Sequence, residues 1–283
     1  AAGLLAGQGR AQAFVQTGKV TRVVDGDTLY VDYYGDGTKT PVSTRNMGLQ
    51  AMEIGTCHAA AATAVMKRWA PPGSVVRMTS VHASSRSWGR PLRLVDVKTP
   101  TGWVDPQLKV LEAGQALPLT FGNEEILRWR TYFKAAQTAR AQGIGLWDPD
   151  SCKPGPQQSV PIRLWVNYDV DGDDSKNVNG EYVRILNSGD VPLKVGGWVV
   201  RTGSQDYFHL PAGTTVGARS YLTLHVGTGR ANARNLYWGY PKTKFPNWEE
   251  PRSHGGGAYL FDRDGDVRAS AIYPCLASCA DPR

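Results

Sequence analysis

Short runs of β-branched and aromatic residues, each cut by a turn signal, recur along nearly the whole chain, and only a few stretches take up helical spacing. Strands that short cannot bury a core alone, so the chain must close its sheets into a barrel or stack them. From Gly18 to Met47, Val20, Val23 and Val24 precede the run Thr28 to Tyr34 and the turn Gly35-Asp36-Gly37, a pattern that predicts a three-stranded meander. Glu53 to Trp69 switches to helical spacing, with Ala61, Ala64, Val65 and Trp69 on one side and Pro71-Pro72-Gly73 as the stop. Val75 to Val81 and Leu92 to Val97 supply two more strands, separated by the polar Ser84-Ser85-Arg86-Ser87, and five strands suffice for an OB barrel. A last helix is expected from Asn123 as N-cap, with Glu124 and Glu125 at its positive end, Ile126, Trp129, Phe133 and Ala136 on one face, and Gly143 as its end.

At 283 residues the chain favours two domains. Pro154-Gly155-Pro156-Gln157-Gln158 reads as the linker between them, and the chain beyond Ser159 is all short strands and turns. Those strands fall at Ile162 to Val166, Tyr182 to Leu186, Gly197 to Val200, Tyr221 to Val226 and Ala258 to Phe261. The expected fold class is mainly β: a five-stranded OB-fold barrel with three helices, then an immunoglobulin-like β-sandwich. The divisions are 1–17 as a signal-peptide remnant or disordered N-terminus, 18–152 as the barrel, 153–159 as linker, 160–275 as sandwich and 276–283 as tail.

No run of about 18 apolar residues exists that could span a bilayer. Ala1-Ala-Gly-Leu-Leu-Ala-Gly followed by Ala11-Gln12-Ala13 resembles the tail of a signal peptide, which points to secretion. The formal charge is +7, and the surplus lies mainly in residues 1–150, with 17 Lys and Arg against 12 Asp and Glu. Such a balance suits phosphate without requiring it. Cys57, Cys152, Cys275 and Cys279 lack the spacing of a zinc site and suit disulfides. Spacing alone fixes no connectivity; pairing within a domain gives Cys57 with Cys152 and Cys275 with Cys279. The first of these would stabilise the barrel by roughly 4–5 kcal/mol in the chain-entropy view.

The sharpest local text is Val23-Val24-Asp25-Gly26-Asp27-Thr28, a strand entering a turn that sets two carboxylates close together. Arg45 and Glu53 follow at the end of the third strand and the entry to the first helix, and Gly89-Arg90 precedes a later strand. This order and spacing, together with Glu112-Ala113-Gly114-Gln115-Ala116 and Gly143-Ile144-Gly145-Leu146-Trp147, resemble the staphylococcal nuclease, or thermonuclease, family. The resemblance implies Asp27 as a calcium ligand, Arg45 and Arg90 as holders of the scissile phosphate, and Glu53 beside the attacking water. Phosphodiester hydrolysis places charge on the nonbridging oxygens, which guanidinium groups and a hard cation can stabilise. The chain departs from the family where a second acidic ligand is usual: Gln50 stands there, followed by Ala51 and Met52, so Gln50 and the Ala51 carbonyl complete an expected Ca2+ site that is one charge poorer. Ser87 and Trp88 also replace a usual Lys and Tyr.

The second half resembles the lamin-tail domain in Asn179 to Asn187, Gly196-Gly197-Trp198 and Leu222 to Gly229. That resemblance implies a binding or structural module without catalytic residues, whose ligand the sequence does not identify. Asp169, Asp171, Asp173 and Asp174 alternate like an EF-hand, but Asp174 replaces the sixth-position glycine and Gly180 occupies the twelfth position, so the segment reads as a solvated acidic turn. The combined expectation is a secreted, calcium-dependent phosphodiesterase of the thermonuclease type, an endonuclease on DNA and RNA with little sequence preference. The alternatives are a noncatalytic nucleic-acid-binding OB domain fused to a surface-binding β-sandwich, or a surface protein whose function lies in the second domain.

Overall fold

The structure, a computed structural model, describes residues 13–120, 127–153, 160–247, 254–277 and 279. The signal-peptide-like start, the Asn123 cap with Glu124, Glu125 and Ile126, and the Pro154 to Gln158 linker lie outside the described residues.

Phe14–Val23, Thr28–Tyr33 and Val42–Asn46 form the antiparallel meander, beginning four residues ahead of the expected boundary at Gly18. Val75–Ser80 pairs with the first strand and Arg90–Thr99 with Val75–Ser80. Arg90–Thr99 then runs parallel to the third strand, setting Arg45 opposite Leu92, and this pairing closes the barrel. Its interior holds Val20, Leu29, Val31, Val76, Met78, Val95 and Val97.

The first helix covers Ala59–Trp69 and does not reach back to Glu53. Gly55, at φ 89°, and the Thr56 N–H bond to the Glu53 carbonyl make a turn there, leaving Glu53 on a loop. A second helix, Pro106–Glu112, carries its own start signal: Asp105 accepts from the Leu108 N–H at 3.0 Å, with proline at the helix start. The third helix, Trp129–Gln142, ends at Gly143 in the left-handed region, as its sequence predicts.

Beyond residue 160, two four-stranded sheets face each other. One joins Ile162–Asn167, Tyr182–Asn187, Ser220–His225 and Asn235–Tyr237; the other joins Tyr207–His209, Val199–Thr202, Gly256–Phe261 and Val267–Tyr273. Val183, Ile185, Val200, Leu222, Leu224 and Leu260 fill the space between them.

The two halves share one core. Tyr259, Phe261, Val267 and Ile272 of the second sheet belong to the same buried cluster as Phe133, Ala136 and Trp147 of the barrel half. Gln137 is wholly buried at this junction: its Nε2 donates to the Pro274 carbonyl at 2.8 Å, and its Oε1 accepts from the Leu276 and Ala277 N–H groups. Asp266 accepts from the N–H of Cys152 at 2.8 Å and of Lys153 at 3.2 Å. Cys57 is bonded to Cys152 and Cys275 to Cys279. The linker composition therefore divides the halves in sequence but not in packing, since one buried cluster runs from the barrel into the second sheet.

Tyr259 is completely buried and its hydroxyl lacks a hydrogen-bond partner. Tyr259→Ala should destabilise the full chain by about 3–5 kcal/mol through lost transfer energy and a cavity. Tyr259→Phe, which removes only the unpartnered hydroxyl, should be neutral or stabilising. Denaturant unfolding of both variants checks this, and a costly Tyr259→Phe would contradict it.

Candidate functional site

The turn at Asp25-Gly26-Asp27 lies against the first helix. A Cβ on Gly26 would come within 2.6 Å of the Ala62 side chain and 2.8 Å of that of Ala51, so only glycine fits. The alanine-rich start of that helix is what allows the approach. Ala116–Pro118 pairs with Leu49–Ala51 and carries Gln50 and Ala51 to the same place. The result is a cleft of about 380 Å³ lined by Asp25, Asp27, Arg45, Gln50, Glu53 and Arg90 among others, within the range of small-ligand sites.

The structure brings all six expected residues, Asp27, Arg45, Gln50, Ala51, Glu53 and Arg90, to this cleft. Their bonding differs from a ready metal and phosphate clamp. Asp27 Oδ1 pairs with Arg45 Nη1 at 2.9 Å and accepts from Thr28 Oγ1, while its Oδ2 accepts from the Ala51 N–H at 2.8 Å. Arg45 is buried, and its terminal nitrogens also donate to the carbonyls of Asp27, Asn46 and Leu49 and, at 2.8 Å, to Gln50 Oε1. Burial lowers its pKa, an effect that the charge of Asp27 opposes. Gln50 Nε2 donates to the Ala51 carbonyl at 3.0 Å and to Glu53 Oε1 at 3.3 Å. Arg45 thus organises the inner wall, and Arg90, half-buried and donating to Thr28 Oγ1 at 3.3 Å, is the guanidinium set toward the opening.

Asp25 carries a signal that the motif reading left unused. Burial, first, and the neighbouring charge of Asp27 push its carboxyl up to about 6, against the opposing bond from the Asp27 N–H. Arg45 compensates Asp27 far better than Asp25. Two carboxylates two residues apart therefore differ in how much positive charge each still seeks. The oxygens of Asp25, Asp27, Gln50 and Ala51 are of the carboxylate and amide types that a hard cation takes.

The second half also reaches the cleft. Gly203, Ser204 and Gln205 form the turn between Val199–Thr202 and Tyr207–His209, and Ser204 and Gln205 line the opening. Gln205, at φ 66°, donates through Nε2 to Glu53 Oε1. Arg201, buried behind it, sets Nη1 3.8 Å from the Met52 sulfur, and Glu53 lies close enough to raise its pKa against the stronger lowering by burial. On the opposite rim Trp88 is 91% exposed with φ 51°. No local sequence signal marks Gln205 or Arg201; positive φ on a bulky exposed residue is a structural signal that marks Trp88.

A carboxylate whose pKa is raised on folding stabilises the fold while protonated. For Asp25 that stability is complete below the unfolded value of 3.8 and is lost as pH rises through about 6. In chelator, Asp25→Asn should therefore gain on the order of 2–3 kcal/mol over wild type between pH 4 and pH 7. Denaturant titrations at both pH values test this; a constant difference would remove Asp25 as the cause.

No curated protein matches the chain. The barrel is defined by its fold and its cleft, whereas residues 164–274, from the first sandwich strand to the end of the last, match the family model of the Lamin Tail Domain.

Proposed function

We propose that the chain is a secreted phosphodiesterase of the thermonuclease type that cleaves DNA and RNA within the strand, with calcium as cofactor. The observation that carries this reading is the convergence of Asp27, Arg45, Gln50, Glu53 and Arg90 in one cleft from three separate segments of a closed OB-like barrel. Asp25 and Asp27 would hold the cation, with Gln50 and the Ala51 carbonyl. When bound, it supplies positive charge to the nonbridging phosphate oxygens.

The chain's own groups do the rest. Arg90 offers a planar donor set to the phosphate at the cleft mouth. Glu53, exposed and held by two amides, orients the attacking water and accepts its proton as the water oxygen bonds to phosphorus, while the ester P–O bond opposite breaks and the leaving alkoxide takes a proton from solvent. Arg45 fixes Asp27 and Gln50. Trp88, at the rim, gives a flat face on which a base can stack. Two disulfides suit an oxidising compartment, and among the described residues no helix is long and apolar enough to cross a membrane.

A noncatalytic nucleic-acid-binding barrel is the second reading, favoured by the internal commitment of the Arg45 donors. Hydrolysis of denatured DNA, with calcium and then with excess chelator, separates the two. Glu53→Gln should lower kcat by at least about a hundredfold with KM little changed. Gln205→Ala, which removes one of the two amides on Glu53, should lower it roughly tenfold. Binding of DNA without any Glu53-dependent cleavage would leave the noncatalytic reading.

Trp88→Ala should raise KM roughly five- to a hundredfold while kcat holds, the range expected for one base stacked on an aromatic ring. Unchanged KM on single-stranded DNA would remove Trp88 from substrate binding.

A further inference from the structure

The first sheet of the sandwich has one face in the core and one in solvent. Val166, Val183, Ile185, Leu222 and Leu224 point inward, so the residues that alternate with them point out. The second sheet lies between this one and the barrel, because its own Tyr259 and Phe261 enter the barrel-side core. The outer face of the first sheet therefore turns away from the barrel.

That face is aromatic and basic. Rings in contact cross all four strands: Trp165 meets Tyr182 at 5.3 Å between centroids, Tyr182 meets His225 at 5.7 Å, and His225 stacks on Tyr237 at 5.1 Å with 18° between the planes. The antiparallel register sets Trp165 opposite Arg184 and Tyr182 opposite His225. The Arg184 guanidinium lies among rings, its central carbon 4.4 Å from the Tyr221 centroid, 5.0 Å from that of Tyr182 and 5.6 Å from that of Trp165. Its Nε is buried without a partner, and its Nη2 donates to the Tyr182 hydroxyl at 3.4 Å. Arg163, exposed on the same face, adds a second guanidinium, and the four strands contain no Asp or Glu. Trp165 and Tyr221 are 46% and 40% exposed.

A neutral glycan would use the rings and leave both guanidinium groups unanswered. A duplex would answer the guanidinium groups and leave the rings idle, since its bases are stacked inside. A single strand uses both, because phosphates meet the arginines while free bases stack on the rings. We propose that the outer face of the first sandwich sheet binds single-stranded nucleic acid, with Trp165 and Tyr221 as stacking surfaces and Arg163 and Arg184 as phosphate donors. Binding there does not depend on the barrel's activity; its use as a tether that holds a long strand while the cleft cuts rests on the nuclease reading.

The test uses the full chain in chelator, with an oligothymidylate carrying iodouracil as probe. Ultraviolet crosslinking and peptide mapping should join the probe to the peptides bearing Trp165 and Tyr221. Trp165→Ala should raise the probe concentration for half-maximal crosslinking at the Tyr221 peptide roughly five- to a hundredfold, and Tyr221→Ala should do the same at the Trp165 peptide. Both positions are exposed, so both variants should keep the wild-type unfolding midpoint. Arg184→Gln should weaken the same site and reduce the slope of log affinity against log salt by roughly 0.7. Crosslinks confined to the cleft around Trp88, or half-maximal concentrations unchanged in all three variants, would overturn the site. An acidic polysaccharide such as polygalacturonate that displaces the probe better than unlabelled oligothymidylate would give the face to a glycan, and a duplex that competes equally well would remove the stacking. Cleavage of DNA without these crosslinks would leave the nuclease reading standing and remove this one; crosslinks without cleavage would do the reverse.

Discussion

Burial of the Gly256–Phe261 strand on both of its faces is the constraint on which the rest of the arrangement depends. Side chains alternate across a strand, so Ala258 and Leu260 enter the sandwich core while Tyr259 and Phe261 enter the core beneath the barrel. A one-residue slip would exchange the two sets and leave neither core filled. This register also fixes the neighbouring strand, Val199–Thr202, through pairs such as Arg201 opposite Tyr259. Because Arg201 and the turn after it move with that strand, the amide of Gln205 arrives at Glu53 as a consequence of core packing.

Within the cleft, the buried Asp27–Arg45 pair sets the division of labour. Removing two charges from water is costly, and the pair persists because nearly every polar atom around it is bonded. Arg45 gives donors to four carbonyl or amide oxygens besides the Asp27 carboxylate, and Asp27 takes donors from Thr28 and Ala51 as well. A network so complete specifies one geometry. It also leaves Asp25, only two residues away, short of positive charge, so the cleft is both rigid in its inner wall and electrostatically unfinished at its mouth.

Much of this was legible in the sequence because it is local. The Val23 to Thr28 text, the glycine stops and the β-branched runs each reflect short-range sterics, and the barrel strands fall close to where those patterns put them. The Pro106–Glu112 helix was not placed, since seven residues are too few for periodicity to register, although Asp105-Pro106 carries a cap signature. Gln205 and Arg201 could not be read because docking of two sheets, not neighbours in sequence, gives them their surroundings. The uninterrupted run Gly256-Gly-Ala-Tyr-Leu-Phe261 was the available hint: a strand without polar alternation is a strand covered twice.

The grip of Asp266 on Cys152 and Lys153 bears on how such a protein can be inherited. A module that passes between genes normally brings its boundary with it, exposed and self-sufficient. Here a fully buried carboxylate of the sandwich takes N–H groups from the last residues of its neighbour, beside the disulfide that ties Cys152 to Cys57. Joined to any other domain at the same point, the sandwich would carry an acid with two vacant acceptors and an aromatic face cut to fit something else. A cut at this linker would thus cost both halves, and a substitution at residue 266 would be felt around Cys152.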